Sequence, residues 1–367
     1  MLKLFYIIFW VLLASCGGTK TETSGKTEVQ SGAAAKDEVK YVNSVRFTSP
    51  DKNKVYSYGD EVVVKLDVKD KYTIDSVVLY LNGQKTAVSE KPEFLLKLSE
   101  MPVGKATLKV MAYHPDDKRG VMTQMIIVKP DKAPLRYGYE VVKVFPHDTR
   151  AYTQGLVYLD GFMYEGTGQY GESSVRKTDM KDNSILSVLN IDNQYFGEGI
   201  TIYKDKIYQI TWKSRKGFVY DLKNFTLEST FNYNSQGWGI TTMGDELVMS
   251  DGSDKLYYMA PSSFGIIRET EVYDHNGEVA NLNELEYIDG MIWANVWLTD
   301  RIVIIDPETG AVKAELDMKN LLPLADRNRL DNTDDVLNGI AYNPEKGTVY
   351  LTGKRWPKLF EVRVKKN

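Results

Sequence analysis

The chain has 367 residues, with 46 basic and 50 acidic side chains and a formal net charge of −4. This length exceeds that of one ordinary domain, so we expect two folded units joined to flexible segments. The balanced charge, without a basic stripe interleaved with aromatic residues, excludes nucleic acid as an expected partner. Its 24 tyrosines and 28 glycines, with β-branched runs between turn signals and no long helical pattern, predict an all-β protein.

Residues 1–16 have the features of a bacterial lipoprotein signal peptide. Lys3 precedes an apolar stretch at 4–13 that is too short to span a bilayer comfortably. The stretch ends in Leu-Ala-Ser-Cys, which resembles a lipobox whose cysteine is lipidated and becomes the new N-terminus. Cys16 is the only cysteine, so no internal disulfide can form. We therefore predict an exported cell-envelope protein, periplasmic or surface-facing, held to the membrane only by lipid on Cys16.

Two further segments precede the repeats. Residues 17–40 are rich in Gly, Ser, Thr, Ala, Lys and Glu and contain few large apolar residues, which predicts a flexible tether. Residues 41–131 contain short alternating runs separated by Gly, Asn and Asp turns, which is typical of an immunoglobulin-like β-sandwich. This segment lacks a cluster of titratable residues, so we interpret it as a spacer or as a module that docks an envelope partner.

The segment 132–367 contains an internal repeat. A polar or indole residue, usually followed by glycine, starts an apolar strand, a turn and a second strand; the five starting residues are Gln154, Glu198, Trp238, Asn283 and Asn338. Most repeats continue into a second hairpin, and four strands every roughly 40 to 55 residues predict a five-bladed β-propeller. The last repeat lacks a strand, so we predict that residues 139–145 supply its outer strand and close the ring.

The same repeat predicts which side chains meet at one mouth of the channel. Each inner strand begins there, and its hairpin partner returns there, near Thr167, Trp212, Asp251, Trp297 and Lys354. These positions differ from blade to blade and are mostly polar, charged or indole, which indicates a small-ligand pocket with aromatic walls. The alternatives are inter-blade packing for the tryptophans and a solvated surface position for Glu198 and Lys354.

Ten motifs in this region resemble, in order, those of the plant and bacterial type of glutamine cyclotransferase (glutaminyl cyclase). They include Tyr-Thr-Gln-Gly-Leu at 152–156, Phe-Gly-Glu-Gly-Ile at 196–200, Gly-Trp-Gly at 237–239, Leu-Asn-Glu-Leu-Glu at 282–286, Asn-Val-Trp at 295–297 and Thr-Gly-Lys-Arg-Trp-Pro at 352–357. The resemblance covers essentially the whole repeat region. It implies a five-bladed propeller, in agreement with the repeat count.

The resemblance also implies an activity: cyclisation of the N-terminal glutamine of peptides or proteins to pyroglutamate, with release of ammonia and without a metal. It assigns Glu198 as the general acid and base, and Gln154, Asn283 and Lys354 to the substrate amide, the carbonyl groups or the developing negative charge. The aromatic wall that it implies consists of Tyr152, Phe196, Trp212, Trp238 and Trp297. Surroundings of this kind raise the pKa of a carboxyl group, so we expect an elevated pKa for Glu198.

Three positions depart from the family pattern. Tyr152 and Gly166 stand where Phe and Ser are commoner, and Gln236 stands where an acidic residue is usual. The proposed acid–base residue and the three tryptophans are all retained. We therefore interpret the departures as tuning of the pocket.

Other functions fit the sequence less well. The animal-type zinc enzymes have an α/β fold, which the repeats exclude. The three histidines are scattered and predict no cofactor or metal centre, although a structural cation held by backbone carbonyls in the channel is compatible with the sequence. The competing hypothesis is a non-catalytic cell-surface propeller that binds a peptide or glycan in the same pocket. Retention of Glu198 and Lys354 favours the enzyme.

Overall fold

The computed structural model describes residues 39–330 and 333–366. The predicted signal peptide, Cys16 and nearly all of the predicted tether lie outside these residues. In the described part, strands make up almost all regular structure and no helix is long and apolar enough to cross a membrane. The prediction of an all-β protein is confirmed.

The first domain is a sandwich of two sheets. Its strands are β1 (Lys40–Val42), β2 (Val45–Ser49), β3 (Val55–Ser57), β4 (Glu61–Val68), β5 (Ser76–Leu81), β6 (Gln84–Ser89), β7 (Glu93–Lys97), β8 (Gly104–Tyr113) and β9 (Lys118–Lys129). One sheet has the order β1-β9-β8-β5-β6, with β3 also on β9, and the other has the order β2-β4-β7. Alternation along β4 buries Val62, Val64 and Leu66 between the sheets and leaves the intervening residues exposed.

The second domain is a ring of five antiparallel blades. Strand β10 (Leu135–Pro146) precedes blade I, which consists of β11 (Thr153–Leu159), β12 (Phe162–Thr167), β13 (Ser174–Asp179) and β14 (Ile185–Asn190), and blade II, which consists of β15 (Gly197–Tyr203), β16 (Lys206–Thr211), β17 (Lys216–Asp221) and β18 (Leu227–Asn232). Blade III consists of β19 (Ile240–Met243), β20 (Glu246–Ser250), β21 (Lys255–Met259) and β22 (Ile266–Glu271), and it is followed by a hairpin of β23 (Tyr273–Asp274) and β24 (Gly277–Glu278). Blade IV consists of β25 (Leu282–Ile288), β26 (Met291–Val296), β27 (Arg301–Ile305) and β28 (Val312–Asp317), and after α1 (Leu324–Arg327) blade V contains β29 (Leu337–Asn343), β30 (Thr348–Gly353) and β31 (Lys358–Lys365). The inner strands β11, β15, β19, β25 and β29 contact one another in turn, and β29 returns to β11.

Strand β10 closes the ring as predicted. It pairs antiparallel with β31 from Gly138–Lys365 to Pro146–Lys358 and so becomes the outer strand of blade V. Its first three residues pair in parallel with β28 of blade IV. The same strand therefore completes one blade and joins it to the neighbouring one.

The glycines of the repeat allow close contact between successive inner strands. A Cβ atom on Gly155 would lie 2.5 Å from the backbone nitrogen of Ile200, and one on Gly239 would lie 2.1 Å from the carbonyl oxygen of Asn283. Only glycine permits this approach of backbone to backbone. In the fourth repeat the position belongs to Glu284, whose carboxylate crosses the channel and accepts the N–H groups of Leu156 (3.1 Å) and Ile340 (2.9 Å).

Four of the inner strands carry a β-bulge where they begin. The pairing register shifts between Thr153 and Gly155, Gly197 and Ile200, Leu282 and Leu285, and Leu337 and Ile340. A bulge places two residues opposite one and redirects a side chain away from the regular alternation. The bulged segments contain Gln154, Glu198, Asn283 and Asn338, which are the polar residues that start the repeats.

The sandwich packs against blades III and IV. Val103 donates its N–H to the carbonyl of Thr309 (2.8 Å), and the N–H of Lys105 is donated to the Glu271 carboxylate (2.8 Å). Val103 also joins Tyr273 and Ala311 in a small apolar cluster. Residues from Val39 onward thus form one compact unit, and the predicted boundary at 131/132 falls between β9 and β10.

Candidate active site

A cavity of about 290 Å³ opens at the end of the channel where the inner strands begin. The cavity is lined by all nine residues to which the resemblance assigns a catalytic or substrate-binding role: Tyr152, Gln154, Phe196, Glu198, Trp212, Trp238, Asn283, Trp297 and Lys354. Gln169 and Asp334 complete the lining. The structure therefore brings together residues from all five blades at one opening.

The location of each side chain follows from the blade geometry. Gln154, Glu198 and Asn283 sit in the bulges of their inner strands, whereas Trp212, Trp297 and Lys354 each follow the last residue of a second strand, at β16, β26 and β30. Three of the predicted rim positions, Thr167, Asp251 and Asn338, do not line the cavity. Thr167 bonds to Ser174 within blade I, and Asp251 accepts hydrogen bonds from Ser253 and Tyr257 within blade III.

The cavity has a polar floor and a more exposed aromatic rim. Gln154, Glu198, Asn283 and Lys354 are only 2–4% exposed. Trp212, Trp238 and Trp297 are half-buried, as are Gln169 and Asp334. A ligand would therefore place its apolar part between the indoles and its polar groups on the floor.

Two indoles of the rim are held by one amide. The Gln236 Oε1 atom accepts hydrogen bonds from Trp212 Nε1 (2.6 Å) and from Trp238 Nε1 (3.2 Å). Gly252, with φ +85°, lies under the Trp238 ring, where a Cβ would be 2.5 Å from the indole. Gln236 thus supplies the acceptor that an acidic residue, commoner at this position in the family, would also supply.

Phe196 and Tyr152 form the other aromatic surface. Their rings meet edge to face with centroids 6.0 Å apart, and Phe196 makes a similar contact with Trp212 at 5.5 Å. The hydroxyl group of Tyr152 donates to Asp334 Oδ2 at 2.7 Å. Burial and the adjacent Asp334 carboxylate raise the pKa of Tyr152, so it remains a neutral donor.

The acid–base candidate is electrostatically unusual. Burial raises the pKa of Glu198 well above its ordinary value, and the positive charge of Lys354 opposes part of that rise. Burial lowers the pKa of Lys354, while Glu198, Asp334 and Asp335 act in the opposite direction. Lys354 Nζ lies 4.9 Å from the centre of the Tyr152 ring, a cation–π distance. The pKa values of the two groups are therefore shifted toward each other relative to those of ordinary Glu and Lys side chains.

Two lining residues were missed by the sequence analysis. Gln169 lies two residues beyond the end of β12, close to the predicted rim position at Thr167, so the repeat already pointed to its neighbourhood. Asp334 belongs to the loop between α1 and β29, outside the repeated pattern. It is placed at the cavity by its contact with the Tyr152 hydroxyl group, which joins distant parts of the sequence.

The described residues contain no group of three or more His, Cys, Asp or Glu side chains suited to hold a metal ion. The histidines have separate surroundings. His114 bonds to Ser44 in the sandwich, His147 pairs with Glu165 beside blade I, and His275 lies near Asp274 in the hairpin β23–β24.

Comparison with known proteins agrees with this architecture. The family model for glutamine cyclotransferase matches residues 118–364, and the model for a bacterial Ig domain matches residues 44–110. Glutaminyl-peptide cyclotransferase of Arabidopsis thaliana is 41% identical over 231 residues, which is 62% of this chain and 71% of the plant protein. The crystal structure of Myxococcus xanthus glutaminyl cyclase superposes with a TM-score of 0.60 and 33% identity, covering 63% of this chain and 98% of that one.

The ring of blades, together with these matches, defines a β-propeller enzyme of the glutaminyl-peptide cyclotransferase class. Because the family model matches more than half of its length, the chain belongs to the glutamine cyclotransferase family.

Proposed function

We propose that this chain is a lipid-anchored glutaminyl-peptide cyclotransferase of the bacterial cell envelope, with Glu198 as its acid–base group and no requirement for a metal. The observation that carries the assignment of roles is the cavity itself. It combines one buried carboxyl group of raised pKa with amide and ammonium donors and an indole wall. Peptides or proteins with N-terminal glutamine are its proposed substrates.

The reaction forms one C–N bond and breaks another. The neutral α-amine attacks the γ-carbonyl carbon of the glutamine side chain, and the carbonyl oxygen takes up the electron pair. Collapse of this intermediate restores the C=O bond and expels ammonia. The attacking nitrogen must lose a proton and the leaving nitrogen must gain one, and a single carboxyl group between them can carry it. The raised pKa of Glu198 makes its carboxyl group a better proton acceptor than an ordinary glutamate, which suits it to this transfer.

The remaining floor residues are assigned by their polarity. Lys354 Nζ and the Gln154 amide are N–H donors that can stabilise the oxygen as negative charge develops on it. Asn283 Oδ1 is buried and has no hydrogen-bond partner among the described residues, so it is available to accept an N–H from the substrate. The aromatic wall holds the glutamine side chain folded back toward its own α-amine. Binding thereby brings the two reacting atoms together, which lowers the activation barrier.

The envelope location rests on residues 1–16 and on Cys16, the proposed lipidation site. The immunoglobulin-like domain is proposed to act as a spacer or as a docking module for an envelope partner. Labelling with radioactive palmitate, followed by membrane fractionation, tests the anchor. The wild type should carry label and Cys16→Ser should carry none. An unlabelled wild type would contradict the anchor without bearing on the enzyme.

The catalytic proposal is tested with a Gln-initiated dipeptide. Wild-type protein should release ammonia, and Glu198→Gln should lower kcat by about 10²- to 10⁴-fold, because it removes proton transfer. Affinity for a pyroglutamyl dipeptide, followed by indole fluorescence, should change little. An Asn-initiated dipeptide is the matched control, since its side chain is one methylene too short to form the five-membered ring. Binding without ammonia release by the wild type would instead favour the non-catalytic propeller.

A further inference from the structure

Asn338 occupies the fifth inner-strand position of the ring, yet it does not line the cavity. It lies in the bulge of β29 and is completely buried. Its Nδ2 group donates two hydrogen bonds, to the carbonyl oxygen of Thr153 (3.0 Å) and to Gln154 Oε1 (3.0 Å). Asn338 of blade V is therefore hydrogen-bonded to Gln154, the blade I residue that lines the cavity floor.

The polarity of these two bonds orients both amides. The backbone carbonyl of Thr153 can only accept, so the atom of Asn338 that faces it must be the NH₂ group. The same NH₂ group faces Gln154, whose adjacent atom must then be its oxygen. The side-chain nitrogen of Gln154 therefore faces the cavity, and it makes no hydrogen bond within the described residues. The hydrogen-bond network alone fixes this orientation.

The other half of the Asn338 amide argues against a role in packing alone. Its Oδ1 atom is buried and has no hydrogen-bond partner among the described residues. A buried acceptor without a partner is unfavourable, so an apolar side chain would serve a packing role better. The NH₂ group is therefore the part of Asn338 that the site uses.

The backbone around Asn338 is tightly restrained. Gly339 has φ +120°, and a Cβ atom there would lie 2.8 Å from Leu156 Cδ1 of blade I. The N–H of Gly339 donates to Asn295 Oδ1 of blade IV at 3.0 Å. The bulge is thus held between two neighbouring blades, and the distance from Asn338 to Gln154 is fixed by the ring.

We propose that Asn338 is a positioning residue that makes Gln154 a hydrogen-bond donor to the reacting carbonyl oxygen. The inference rests on the proposed function, in which Gln154 and Lys354 stabilise that oxygen. Asn338 itself does not touch the substrate. It holds the Gln154 oxygen away from the cavity and thereby presents the nitrogen, so that an N–H group and not a carbonyl group meets the developing negative charge.

The first test removes the donor while keeping the shape. Gln154→Glu can still accept from Asn338, but it presents an oxygen to the cavity. We expect it to lower kcat at pH 8 about as much as Gln154→Ala, by at least about tenfold, with partial recovery at acidic pH, where a protonated carboxyl group can donate. Near-normal turnover by Gln154→Glu at pH 8 would overturn the proposed orientation.

The second test is a double-mutant cycle. Asn338→Ala should lower kcat about tenfold with a change in KM below about threefold, and should change kcat less than about twofold further in a Gln154→Ala background. Asn338→Ser, which keeps one hydroxyl donor, should lie between wild type and Asn338→Ala and serves if the alanine variant does not fold. Effects of the two substitutions that multiply independently would overturn the proposal.

The same cycle measured on binding separates this inference from the proposed function. A pyroglutamyl dipeptide places a lactam carbonyl where the reacting oxygen would lie, and its affinity is read from indole fluorescence without turnover. Coupled effects of Asn338 and Gln154 on this affinity would uphold the positioning role even if the wild type released no ammonia. An active wild type with uncoupled effects would leave the function intact and refute the positioning role.

Discussion

The indole rings of Trp238 and Trp297 meet edge to face, with centroids 5.3 Å apart and planes at 84°. Trp238 precedes the inner strand of blade III, and Trp297 follows the second strand of blade IV. The wall of the cavity is therefore assembled across a blade boundary, so its shape depends on the rigidity of the whole ring.

Loss of one of these indoles should weaken substrate binding more than chemistry. Trp238→Ala removes an aromatic contact of about 1 kcal/mol as well as buried area, so we expect KM for a Gln-initiated dipeptide to rise about five- to tenfold with kcat within about threefold. Trp238→Phe is the matched control and should retain part of the affinity. Steady-state kinetics of the three proteins checks this. An unchanged KM in Trp238→Ala would place the glutaminyl side chain elsewhere.

The charge of Lys354 should set the pH dependence of turnover. Its positive charge opposes the effect of burial on Glu198, so Lys354→Met should raise the pKa of Glu198 still further. The acidic limb of the kcat/KM profile should then move to higher pH, in addition to an overall loss of rate. Lys354→Arg keeps the charge and should leave the limb near its wild-type position. A limb that moves to lower pH in the methionine variant would contradict this coupling.

The Tyr152 hydroxyl group should contribute to stability more than to catalysis. Tyr152→Phe keeps the ring and loses the bond to Asp334, a loss of about 1 kcal/mol in the free energy of unfolding. We expect a small drop in Tm and a kcat within about threefold of the wild type. The effects of Tyr152→Phe and Asp334→Asn on Tm should not add, which a thermal double-mutant cycle checks. Full additivity would show that this bond contributes nothing.

The free energy of unfolding should depend on pH through the titration of Glu286. Burial raises the pKa of this residue to about 8, although its carboxylate accepts hydrogen bonds from Tyr342 and Thr241. An unfolded glutamate releases its proton near pH 4.3, so between that pH and about 8 the folded state binds more protons and the free energy of unfolding falls as pH rises.

Glu286→Gln removes this penalty. The Tm of the variant relative to wild type should therefore be higher at pH 8 than at pH 5, measured by thermal denaturation at both values. Glu61→Gln on the exposed face of β4 is the control and should give the same small difference at both pH values. A Glu286→Gln difference that is equal at pH 5 and pH 8 would refute the argument.

The repeat made most of the architecture and the cavity predictable. Equivalent positions in similar blades must meet at one rim, and this placed Glu198, Lys354 and the three tryptophans together without any knowledge of contacts. Roles that depend on pairs of distant residues were not predictable. The repeat brings Asn338 near Gln154 but does not reveal that Asn338 donates to the Gln154 oxygen. The bond from Tyr152 to Asp334 and the bond from the Lys105 N–H to Glu271 join segments with no local pattern in common.

Pairing between β10 and β31 also has a consequence for the order of folding. One partner lies at the start of the propeller and the other at its end, so this contact spans nearly the full length of the domain. Contacts of such long sequence separation form late, because the entropy of closing the intervening loop must be overcome first. During synthesis β10 must wait without its partner until all five repeats have emerged. We expect the exposed Val141, Val142 and Val144 on this strand to be open to pairing with another chain until the ring has closed.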